Sequence, residues 1–118
     1  MTNPIHPKIG ATFIPVRNIQ QARDWYCSIL GLPATEEIIN GHLYVIPLED
    51  QHNIVLDNKI FSKRVVDEIP LFHFNTNDIE KAYQFMKEQH VNIMDQIEHG
   101  HYFTFKDPDD NVLMICKC

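Results

Sequence analysis

The chain has 118 residues, enough for one domain and too few for two ordinary ones. Hydrophobic residues make up 44 % and charged residues 22 %, which supports a real core and argues against disorder. The net charge of −6 disfavours nucleic acid, whose binding needs a basic surface, and suits neutral or cationic small ligands.

Lys8 to Val16 reads as a strand, carrying Ile9, Phe13, Ile14 and Val16. Asn18 followed by Gln21 is a capping-box pattern, and Ile19, Ala22, Trp25, Tyr26, Ile29 and Leu30 then recur at helical spacing. Gly31 and Pro33 end that helix. Three strands are predicted next, over Ala34 to Ile39, His42 to Leu48 and Asn53 to Asp57, with Asn40-Gly41 as a hairpin turn. Residues 58–70 lack periodicity and read as a connector; Lys63-Arg64 within it reads as a solvated turn. A strand over Leu71 to Asn75 follows, then a helix capped by Asn77 or Asp78 with Ile79, Ala82, Tyr83 and Met86 on one face and His90 at its end. Three more strands are expected at Val91 to Ile97, His101 to Lys106 and Asn111 to Lys117, the last two joined by the Asp107-Pro108-Asp109-Asp110 turn.

The second half repeats the first. A shift of sixty lays Ile19 on Ile79, Gln20 on Glu80, Ala22 on Ala82 and Trp25 on Phe85. A shift of fifty-nine lays Gly41-His42 on Gly100-His101, and fifty-eight lays Asn53-Ile54 on Asn111-Val112. The predicted fold is therefore α+β: two βαβββ modules, 8–57 and 71–118, in a single domain over 8–118. One helix covers only one face of a sheet, so two modules bury each other as a half-open barrel with an internal cleft.

Val16-Arg17-Asn18-Ile19-Gln20-Gln21-Ala22-Arg23-Asp24-Trp25-Tyr26, Leu30-Gly31-Leu32 and Asp107-Pro108-Asp109-Asp110-Asn111-Val112-Leu113 carry a family likeness. With these segments the chain resembles the vicinal-oxygen-chelate superfamily of glyoxalases, extradiol dioxygenases and bleomycin-resistance proteins. Asp110 stands where that family usually has glycine. The resemblance implies the fold more than the function, since the family hosts many activities.

Metal-dependent relatives hold one divalent ion in the cleft with His or Glu from the first and last strands of each module. Carried over, those positions are Ala11, Leu71, Met114 and Leu56, or Val55 if the strand is aligned one residue differently. Alanine, leucine and valine have no donor atom, and a lone thioether suits soft copper only. The expectation is thus no metal and no cofactor, and glyoxalase or extradiol chemistry is disfavoured. An alternative stays open: an enzyme with a shifted site of His73, Asp57 and Cys116.

The remaining candidates divide between core and cleft. His73, between Phe72 and Phe74, reads first as a buried, hydrogen-bonded core histidine; facing the cleft, it becomes an acid–base group or ligand anchor. His42 and His101, equivalent in the repeat, read as polar strand ends, and His99 as a loop residue. Phe103 and Phe105 share a face that is either core under the helices or an aromatic wall for a planar ligand, with Tyr102 opposite. The expected ligand-binding cleft is Ala11, Phe13, Leu56, Leu71, His73, Phe103 and Met114.

The predicted function is a metal-independent binding protein for an apolar or aromatic small molecule, with the acidic charge suiting a cationic one. Bleomycin-resistance-type relatives and the acidic charge both point that way. A plain interaction module with a collapsed cleft is a third reading. Cys27, Cys116 and Cys118 make an odd count without a disulfide framework, and no signal peptide or membrane span is visible. These features predict a cytoplasmic protein, and the resemblance implies a homodimer.

Overall fold

The computed structural model describes residues 4–5, 7, 9–61 and 70–117. The connector's Lys63-Arg64 pair lies outside them. The element order is β1 (Ala11–Pro15), α1 (Ile19–Leu30), β2 (Leu43–Pro47), β3 (Asn53–Asp57), β4 (His73–Asn75), α2 (Ile79–Glu88), β5 (Asn92–Ile93), β6 (Tyr102–Lys106) and β7 (Val112–Cys116).

Local chemistry sets both helices. The Asn18 side chain accepts a hydrogen bond from the Gln21 amide, and the Asp78 side chain accepts one from Lys81, each satisfying a donor that a first turn leaves free. At the far end of α1, Gly31 turns left-handed at φ 68°. Leu32 N–H then donates to Cys27 C=O and Gly31 N–H to Ser28 C=O. This closes the helix in the way a C-terminal glycine permits.

The strands form two sheets, ordered β1-β3-β2 and β4-β7-β6-β5. In each, the module's first strand runs parallel to its last, and the remaining pairs are antiparallel. The duplication extends to individual backbone bonds. Val16 N–H donates to Asp57 C=O as Thr76 N–H does to Cys116 C=O, and Asn58 N–H to His42 C=O as Lys117 N–H does to His101 C=O. The hairpin turns match too, with φ of 52° and 75° at Asn40-Gly41 and 52° and 69° at His99-Gly100.

The strand expected over Ala34 to Ile39 is not formed. Only a single bridge, Ile39 to Leu43, remains of it. Side chains occupy the backbone groups that a neighbouring strand would need: Thr35 N–H donates to the Tyr44 hydroxyl and Arg23 donates to Thr35 C=O. Its counterpart in the second module, expected over Val91 to Ile97, is reduced to the two residues of β5.

One apolar core runs through both modules. Ile14, Val16, Tyr26, Ile46, Ile54 and Leu56 join Ile79, Met86, Phe103, Phe105, Leu113 and Ile115 on the helix-facing side of the sheets. Burying one such phenylalanine stabilises the fold by about 2–3 kcal/mol. Trp25 of α1 lies 6.5 Å from Phe105 of β6, ring centre to ring centre.

Polar contacts join the modules at the turn over residues 107–111. Tyr26 Oη donates to Asp107 Oδ2 at 2.6 Å. Asp107 Oδ1 also accepts from the amides of Asp109 and Asn111, and its Oδ2 from the Asn111 side chain. Asn111 donates back to Pro15 C=O, and Asp109 accepts from the Arg17 amide at 3.0 Å. Burial pushes the Asp107 carboxyl above its ordinary value, although the bonds from Tyr26 and Asn111 oppose that. Burial and the neighbouring carboxylate push the Tyr26 phenol well up, so it remains a donor.

Candidate functional site

The sheet faces turned away from the helices carry the candidate cleft. Phe13, Val55 and Val45 stand side by side across the first sheet. His73, Met114 and Thr104 occupy the equivalent row of the second. Phe13 is 55 % exposed and Leu71 51 %, so large apolar side chains stay uncovered on this face.

The expected cleft residues divide. Ala11, Phe13, Leu71 and His73 are exposed, and Met114 is partly buried. Leu56 and Phe103 are fully buried in the helix-facing core and therefore do not line an open cleft. Along β3, Val55 faces away from Leu56, so Val55 is the residue on the cleft side. Phe103 instead packs edge-on against Tyr83 of α2, with centroids 5.1 Å apart. His73 is exposed rather than buried in the core.

With Val55 in place of Leu56, the positions the family likeness assigns to a metal are Ala11, Val55, Leu71 and Met114. They supply hydrocarbon and one thioether, so the residues present do not fit a hard or borderline divalent ion. The shifted set is not brought together either. Asp57 is held by His42 Nδ1 at 3.1 Å and by the Lys59 amide at 2.9 Å, in the other sheet from His73. Cys116 is disulfide-bonded, where the cysteine count predicted no such bond, while Cys27 is free and buried. Among the described residues no three His, Cys, Asp or Glu side chains are placed to hold a metal ion.

The two equivalent histidines differ in their surroundings. His42 pairs with buried Asp57, but the residue matching Asp57 in the second module is Cys116, so His101 has no such carboxylate. His42 thus acts as a lock on the strand end.

A cavity of about 620 Å³ opens where the modules meet, lined by Leu30, Leu32, Pro47, Leu48, Glu49, Asp50, His52, His73, Phe74 and Asn75. Three elements build it: the end of α1, the β2–β3 loop and β4. His52 went unnoticed in the sequence because a polar residue in a loop carries no periodic signal. Here its Nε2 lies 2.8 Å from the Thr12 hydroxyl, which ties the loop to β1. No helix among the described residues is long and apolar enough to cross a membrane.

Comparison with known proteins agrees with this architecture. TnmS3, an antibiotic binding protein from Streptomyces sp. CB03234, superposes with a TM-score of 0.77 at 19 % identity, covering 98 % of both chains. Lactoylglutathione lyase from Agrobacterium tumefaciens gives 0.71 at 15 % identity, covering 98 % of this chain and 96 % of that one. The trypanothione-dependent glyoxalase I of Leishmania major gives 0.72 at 14 % identity, covering 95 % and 87 %. No curated protein matches the sequence. The family model for the Glyoxalase/Bleomycin resistance protein/Dioxygenase superfamily matches residues 8–115, and the chain belongs to that superfamily.

Proposed function

We propose that this protein binds an apolar or aromatic small molecule without metal-dependent chemistry. The observation that carries this reading is the set of residues at the metal positions. Ala11, Val55, Leu71 and Met114 offer a hydrocarbon surface where metal-dependent relatives need donors. The likeness to TnmS3, which is an antibiotic binding protein, supports the same reading. A second copy of the chain covering part of this apolar face is the expected assembly, and light scattering after gel filtration would detect the dimer.

Two measurements test the function. Untagged protein should contain no stoichiometric zinc, iron, manganese or nickel; one equivalent of any of these would overturn the metal-free reading. A thermal-shift screen of aromatic compounds should give ligand-dependent stabilisation, about 2.7 kcal/mol at a ligand concentration of 100 Kd. Silence across the screen would leave an interaction module as the better description.

A further inference from the structure

The cavity at the module junction has a lining that discriminates by charge. One wall is apolar: Leu30 and Leu32 from the end of α1, with Leu48 and Phe74. Glu49 and Asp50 lie on the β2–β3 loop, and among the described residues the lining contains no lysine or arginine. The C-terminal end of α1, whose carbonyls carry partial negative charge, adds to the same sign.

The backbone around the cavity has two further features. Asp50 and Gln51 both hold left-handed conformations, φ 61° and 64°, which non-glycine residues rarely adopt in succession. Such strain collects at binding sites. In addition, β4 is the outermost strand of its sheet. Met114 N–H donates to Phe72 C=O and Thr76 N–H to Cys116 C=O, so alternate residues of this segment bond to β7. The residues between them, His73 and Asn75, direct their main-chain N–H and C=O away from β7, to an edge that no other described strand pairs with and that borders the cavity.

The geometry points to this cavity as the recognition site for an organic cation: a flat apolar body against Leu32, Leu48 and Phe74, with a protonated nitrogen beside Glu49 and Asp50. The edge of β4 supplies hydrogen bonds to the ligand's polar groups. This inference rests on the small-molecule-binding function proposed above and assigns the ligand's charge and its place.

Three tricyclic probes of similar shape test it: 9-aminoacridine, a cation at neutral pH; acridone, which is neutral; and acridine-9-carboxylate, an anion. Each is titrated into the full-length protein at low salt, with affinity read by calorimetry. The cation should bind roughly tenfold more tightly than acridone, and the anion more weakly than either. The double variant Glu49→Gln/Asp50→Asn should erase the cation's advantage and leave acridone binding unchanged. Asparagine tolerates the left-handed conformation at position 50, so the loop should keep its shape. If the variant nevertheless melts early, about 0.5 M salt applied to the unmodified protein should erase the same advantage by screening. Equal affinities for the three probes, or an advantage that survives both treatments, would overturn the inference while leaving the small-molecule function standing. So would cation binding that is abolished by Phe13→Asp and unchanged by the double variant, since the ligand would then lie on the sheet face. No binding by any probe would also overturn it, and the metal assay and the broader screen judge the function separately.

Discussion

Asp107 shows how one buried side chain can matter to the whole fold. It accepts four hydrogen bonds, including the one from Tyr26, whose side chain is fully buried. Asp107→Ala would leave the Tyr26 hydroxyl buried without this acceptor and should cost about 3 kcal/mol in urea denaturation; Tyr26→Phe should cost about 1–2 kcal/mol. The pH dependence follows from the direction of the shift. The folded carboxyl binds its proton more tightly than the unfolded one, whose ordinary value is 3.8. Its contribution to stability is therefore complete below that value and is lost as pH rises through the raised folded value. Compared with Asp107→Asn, the unmodified protein should lose stability over that interval; a difference that stays constant across it would disprove the assignment. The sequence showed Asp107 as a turn former and Tyr26 as part of a helical stripe. It could not show that the two meet, because 81 residues separate them. His52 carried no signal because a polar loop residue has no periodicity, whereas the shared face of Ala11 and Phe13 was readable because a short strand alternates its faces. Leu56 was misplaced because β3 is buried over four successive residues, so alternation could not tell which side faces the helix.

Among the elements, the two hairpin turns and the irregular 34–39 segment make separable predictions. Gly41 and Gly100 both have positive φ, and a Cβ added at either meets nothing within 4 Å. Alanine there is strained by the backbone alone, at about 1 kcal/mol, or roughly 4–6 °C in Tm. The two variants should lose similar amounts, because the turns are copies of one another. Gly10→Ala, where a Cβ also meets nothing and φ is not in the strained range, should melt like the unmodified protein. Tyr44→Phe removes the hydroxyl that receives Thr35 N–H, so amide exchange at Thr35 should accelerate well before the core opens. Helices and caps were legible because their signals lie within a few residues, as Asn18 with Gln21 shows. The strand over 34–39 was not, since its propensity is overridden by Tyr44 and Arg23, which reach it from other elements.

For the molecule as a whole, the repeat was the most readable feature and set the module order, while the family was legible in the segments 16–26, 30–32 and 107–113. The core shared by both modules predicts one cooperative unfolding transition, with calorimetric and van't Hoff enthalpies in agreement; two resolved peaks would show that the modules fold independently. The polar contacts between modules converge on residues 107–111, which grip Pro15, Arg17 and Tyr26 from the other half. All of these contacts are non-covalent, and Trp25 against Phe105 adds an apolar one nearby. The halves are thus held side by side through space and not only by the peptide chain running from one to the other. Two fragments made separately, one ending after Phe61 and the other beginning at Pro70, should therefore find each other and rebuild the domain. The ancestral single module implied by the duplication would have met its second copy through the same kind of embrace.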